Sequence, residues 1–112
     1  MHDIDKDNMY NSIWDFPDNI IDATGIGDNI ILKNSYDDIE KVILAGMGGS
    51  AIGGDVVAIL GKEKLKTPFF VIRDYTLPPW IDDKTLIICS SYSGNTEETL
   101  SVLNCAIEKG IK

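Results

Sequence analysis

Three short apolar runs, at residues 42–45, 69–72 and 85–90, are bounded by glycine, proline or charged residues. None alternates apolar with polar positions. Such runs predict strands buried on both faces, as in a parallel sheet covered by helices. After the first run and its glycines, apolar residues return at Ile52, Val56, Ile59 and Leu60, a helical spacing, with Gly61 as the expected C-terminal cap. After the third run, a helix is expected over 96–109 with Leu100, Leu103, Ala106 and Ile107 as its inner face, stopped by Gly110. Earlier, residues 3–14 predict a short helix carrying Met9, Ile13 and Trp14, with Asp3, Asp5 and Asp7 in its first turn. A second begins at Pro17, buries Ile20 and Ile21, and ends at Gly25 and Gly27. Residues 29–40 are assigned only a helical turn or loop. The reading is an α/β protein, with 1–40 as a helical lead segment and 41–112 as a parallel sheet flanked by helices. Residues 110–112 stand where a next strand should start, so the sheet is expected to be incomplete at the C-terminus and the chain to be the first part of a longer protein.

Charge narrows the partners. The net charge is −8, and Arg73 is the single arginine. A nucleic-acid groove needs clustered Lys and Arg, so nucleic acid is not expected as a partner. No apolar run approaches the ~18 residues of a membrane helix, so no membrane is expected either. The acidic, polar start does not read as a secretory or transit signal. Cys89 and Cys105 fall in element interiors and read as reduced, buried thiols of a cytoplasmic protein. His2, near the start, is the only histidine, and no metal site can be assembled.

The candidate chemistry lies at two strand-to-helix corners, 46–50 and 91–96. In open parallel sheets, ligands sit beyond the carboxyl ends of the strands. The first corner, rich in glycine, lets a ligand approach the backbone. The second offers hydroxyls from Ser91, Ser93 and Thr96 beside the unpaired N–H groups of a helix start, which together suit a phosphate. For either corner singly, capping and ligand binding account for the residues equally well, with Asn95 and Glu98 as a variant capping box. Both corners on one sheet edge favour a site. A dinucleotide site competes: Gly46, Gly48 and Ala51 meet the fingerprint, and Asp74 ends the second strand. A P-loop is excluded by the missing Gly-Lys-Ser/Thr ending. Arg73 reads as a solvated partner of Asp74 or Glu63, and Tyr92 as packing.

The segments Gly46-Met47-Gly48-Gly49-Ser50-Ala51-Ile52-Gly53-Gly54-Asp55, Arg73-Asp74-Tyr75 and Ser91-Tyr92-Ser93-Gly94-Asn95-Thr96-Glu97-Glu98-Thr99 resemble the sugar isomerase (SIS) domain. More narrowly, they resemble the amino-terminal part of the bifunctional phosphoglucose/phosphomannose isomerases. The resemblance runs from about Phe16 to the end. It implies a flavodoxin-like sheet, with 41–112 as the first part of an N-terminal SIS domain. It also implies that Ser91, Ser93 and Thr96 hold the phosphate while Gly49 and Ser50 lie against the sugar. The implied reaction interconverts glucose 6-phosphate or mannose 6-phosphate with fructose 6-phosphate through a cis-enediol(ate), without metal or cofactor. The family's catalytic glutamate, histidine and lysine, and a substrate-binding arginine, lie further along its chains and have no counterpart here. Its members are homodimers. A non-catalytic SIS module that senses a sugar phosphate is the alternative within this resemblance, and an NAD-binding domain the alternative outside it.

Overall fold

The computed structural model describes residues 4–112. The places expected for His2 and Asp3 lie outside them. The chain divides into two compact units, Met1–Ser35 and Tyr36–Lys112.

The first unit holds α1 (Met9–Trp14) and α2 (Phe16–Asp28). Helix α1 spans the apolar residues expected of it but starts at Met9, later than the acidic residues before it imply. The Asp5 carboxylate accepts the N–H groups of Met9 (2.7 Å) and Tyr10 (2.8 Å), and so satisfies the helix start from outside it. Gly25 and Gly27 do not end α2, which runs on to Asp28. Neither glycine has a positive φ, and the Asn29 side-chain amide donates to the Gly25 carbonyl at 2.7 Å, closing the helix from beyond. Ile20 and Ile21 are exposed rather than buried, and neither helix buries a residue.

The second unit is the sheet. Strands β1 (Lys41–Gly46), β2 (Phe69–Ile72) and β3 (Thr85–Ser90) lie in the order β2-β1-β3, all parallel. This is the α/β architecture expected. Register pairs Val42 with Phe69 on one side and Gly46 with Ser90 on the other. On the β3 edge, the Ile87 N–H donates to the Lys112 carbonyl at 2.8 Å.

Helix α3 (Gly48–Leu60) crosses from β1 to β2, and α4 (Glu97–Glu108) follows β3. α3 meets the sheet through its small residues. Ala51 and Gly54 are its buried positions, and a Cβ on Gly54 would come to 3.0 Å from Leu44 Cδ2 and from Val71 Cγ2. The expected apolar face is therefore the outer one: Ile52, Val56, Ile59 and Leu60 are all exposed. Gly61 follows α3 as expected, but with φ −82°, an ordinary helical value. Its glycine is favoured by space, since a Cβ would lie 2.7 Å from the Val57 carbonyl oxygen.

Leu44, paired with Val71 of β2, alternates along β1 with Ile43 and Ala45, which face the other side of the sheet, under α4. The inner face of α4 is Thr99, Val102 and Ala106, one step round from the one expected. Ala106 is shared, Leu100 is half-buried, and Leu103 and Ile107 are exposed. Again the smaller residues are chosen where helix and sheet approach most closely. Ile43 and Val102 are fully buried, and each such side chain stabilises by about 1.5–3 kcal/mol.

Ion pairs tie loops across the second unit: Lys41 to Asp82 at 2.6 Å, Lys112 to Asp38 at 2.6 Å, and Lys84 to Glu40. The Lys112 hydrogen bond holds the Asp38 carboxyl below its ordinary value. Lys41, then Thr85, does the same for Asp82. A carboxyl depressed on folding contributes stability above its unfolded value and loses it as pH falls through the folded one. The melting temperature is therefore expected to fall progressively below about pH 4. The fall should be shallower in Asp82→Asn and in high salt, because these pairs are exposed. A melting temperature flat from about pH 5 to pH 2 would contradict this.

Candidate functional site

Neighbouring strands β1 and β3 end in register, Gly46 opposite Ser90, so the segments that leave them emerge side by side. This pairing brings two corners remote in sequence onto one rim. Gly46 itself is hemmed in by backbone: a Cβ there would lie 3.0 Å from the Ser90 carbonyl oxygen and 3.3 Å from the Ser50 carbonyl carbon.

At the first corner, Met47 is extended and Gly48 turns the chain at φ +50°, a conformation that disfavours any side chain. Met47 caps α3 with no side-chain hydrogen bond. At the second corner, Gly94 turns the chain at φ +69° and Thr96 is the N-cap of α4, also without a side-chain cap bond. The expected capping box of Asn95 and Glu98 is not formed. Instead the hydroxyls bond among themselves. Ser91 Oγ lies 2.9 Å from Thr96 Oγ1 and 3.4 Å from Ser93 Oγ, and accepts the Gly94 N–H at 3.1 Å. Ser93 Oγ accepts the Asn95 N–H at 3.2 Å. Ser91 and Ser93 thus brace the turn before α4, and Thr96 makes no side-chain cap bond to it. Both helix starts leave first-turn N–H groups without a side-chain partner.

One bond joins the corners: the Tyr92 N–H donates to Ser50 Oγ at 3.1 Å. With that lone pair taken, the Ser50 hydroxyl keeps its proton to donate. Beside it opens a cleft of about 640 Å³, walled by Met47, Gly49, Ser50 and Gly53 from the first corner and Ser90, Ser91 and Tyr92 from the second. Of the residues singled out from the sequence, Gly49, Ser50 and Ser91 line the cleft. Ser93 and Thr96 are not in its wall and join it through Ser91. Sequence reasoning missed Met47, Gly53 and Ser90; only the pairing of Ser90 with Gly46 places that serine at the rim. The packing expected of Tyr92 does not occur. It is fully exposed, because its neighbours turn into the hydroxyl cluster and leave it outward.

The cleft is neutral. No carboxylate, lysine, arginine or histidine lines it. Arg73 pairs with Asp55 of α3, not with Asp74 or Glu63. One oxygen of the Asp74 carboxylate accepts the N–H groups of Tyr75 (2.6 Å) and Thr76 (3.3 Å), a local engagement. Nearby, the Glu98 charge, then desolvation and the Glu97 charge, push the Tyr75 phenol above its ordinary value. Cys89 and Cys105 are free thiols, both half-buried rather than buried; burial pushes the Cys89 thiol up and so lowers its reactivity. Among the described residues no group of acidic, cysteine or histidine side chains is placed to hold a metal, and no helix is long and apolar enough to cross a membrane. Hydroxyl and N–H donors at two helix starts can bind and orient an anion with attached oxygens. They cannot by themselves take a proton from carbon.

The chain is 49% identical over 104 residues to a bifunctional phosphoglucose/phosphomannose isomerase of Caldicellulosiruptor bescii, a match covering 93% of this chain and 31% of that protein. It is 50% identical over 72 residues to the protein of the same name from Aquifex aeolicus, covering 63% of this chain and 22% of that one. A D-glucosamine-6-phosphate 4-epimerase of Sulfolobus acidocaldarius is 40% identical over 73 residues, 65% of this chain and 22% of its own. No family model and no solved structure matches. The chain is thus similar, over nearly all its length, to part of curated bifunctional phosphoglucose/phosphomannose isomerases, and it spans about a third or less of the length of those it matches.

Proposed function

We propose that this chain carries the phosphate-gripping part of the active site of a sugar-phosphate isomerase. The substrates are glucose 6-phosphate or mannose 6-phosphate, and fructose 6-phosphate. The observation that carries the reading is the bond from Tyr92 N–H to Ser50 Oγ, which holds the Ser91, Ser93 and Thr96 hydroxyls next to the glycine corner at a neutral cleft. The phosphate sits at the start of α4, where those three hydroxyls turn their protons toward it and the helix dipole favours its charge. The sugar extends toward Gly49 and Ser50, whose free proton meets a sugar oxygen. The role of these residues is to fix where carbons 1 and 2 lie. The base that moves the proton between those carbons, through a cis-enediol(ate), comes from another part of a longer protein. The named relatives support this division of labour: isomerases and a 4-epimerase share a phosphorylated sugar in their names but not a reaction. In the longer protein the reading includes a cytoplasmic homodimer that uses no cofactor.

The test is a thermal-shift titration of the chain. Fructose 6-phosphate at about ten times its dissociation constant should raise stability by about 1.4 kcal/mol, a shift of several degrees. A Ser91→Ala/Ser93→Ala double variant should not respond, and the chain should show no isomerase turnover. A shift with NAD that disappears on substituting Asp74 would instead restore the dinucleotide reading.

A further inference from the structure

Tyr92 stands apart from the rest of the site. It lies between Ser91 and Ser93, its backbone N–H is fixed by Ser50 Oγ at 3.1 Å, and it forms part of the cleft wall, yet its ring is fully exposed. Its neighbours on both sides spend their side chains in the hydroxyl cluster. A fully exposed aromatic ring contributes no packing to the fold, so it is free to meet a ligand. Such a ring on the rim of a polar cleft is what an amphipathic ligand uses: the polar groups take its charged end and the ring covers its apolar face. The rest of the cleft wall offers a sugar little such surface. Met47 is the only other large apolar side chain there, and the remainder is serine and glycine.

We infer that Tyr92 is a specificity residue whose ring lies against the C–H face of the sugar, separating sugar phosphates from free phosphate at a site whose hydroxyl cluster cannot tell them apart. This rests on the sugar-phosphate reading above. Closure needs only rotation of the side chain, because the backbone is already pinned.

The experiment is a pair of titrations of the full chain, with fructose 6-phosphate and with inorganic phosphate, for wild type, Tyr92→Ala and Tyr92→Phe. Removing the ring should weaken fructose 6-phosphate binding about three- to tenfold and leave inorganic phosphate unchanged. Tyr92→Phe should bind both like wild type. Equal binding of fructose 6-phosphate by Tyr92→Ala and wild type overturns the inference. So does a parallel loss of both ligands, which would place the effect in the hydroxyl cluster, and so does a loss in Tyr92→Phe, which would make the phenol oxygen the contact. Wild type that binds neither ligand overturns the sugar-phosphate reading itself, and the inference with it.

Discussion

Replacing Gly46 with valine is expected to abolish the paired corners and leave the sheet unit largely unfolded. At this position even a single Cβ would sit 3.0 Å from the Ser90 carbonyl oxygen, 3.3 Å from the Ser50 carbonyl carbon and 3.4 Å from the Ala51 nitrogen. All three are backbone atoms, which yield only if a strand or a helix start moves. Gly46→Ala should therefore cost about 1–3 kcal/mol, and valine more. Gly53 supplies the contrast: it lies in α3 with an ordinary φ, and a Cβ added there would meet nothing within 4 Å. Gly53→Ala should be neutral or stabilising by up to about 1 kcal/mol. Urea unfolding of the three variants checks both signs. Gly46→Val with wild-type stability would mean that β1 and β3 do not hold the corners in the register described.

The second large effect is expected from Ser91→Ala, on binding rather than folding. Ser91 Oγ is the hub of the hydroxyl cluster, within bonding distance of Thr96 Oγ1, Ser93 Oγ and the Gly94 N–H. On the proposed reading, its loss removes one donor to a phosphate oxygen and frees the other two hydroxyls from their arrangement. A hydrogen bond to a charged group contributes about 1.5–3 kcal/mol, so affinity for fructose 6-phosphate should fall at least tenfold. Because Ser91 is only half-buried, stability should fall by no more than about 1.5 kcal/mol. Calorimetric titration separates the two effects. A loss of affinity under twofold would remove Ser91 from the site.

The sheet was legible because its strands are short, largely apolar runs bounded by glycine, proline, serine or charged residues, and the strand bounds differ from the reading by a residue at most. The corners were legible for the same reason, since a strand that ends in Gly-x-Gly or Ser-x-Ser-Gly has few ways to continue. Which face of a helix turns inward was less legible. α3 has apolar residues on nearly every side, so periodicity carries no direction, and the decision fell to Gly54, whose missing side chain lets the helix reach Leu44 and Val71. The partner of Arg73 is not legible from sequence neighbours, because Asp55 lies one helix away and only the fold brings it close. Nor is the exposure of Tyr92: an aromatic residue in a sequence is assumed to be packed, and only the turn of its two neighbours shows otherwise.

Joint engagement of one phosphorylated sugar by both corners is best read residue by residue, by following backbone amide signals while fructose 6-phosphate is added. Ser50 at one corner and Gly94 and Glu97 at the other should shift together, along a single saturation curve with one dissociation constant. Shifts confined to one corner, or two corners that saturate at different concentrations, would contradict it.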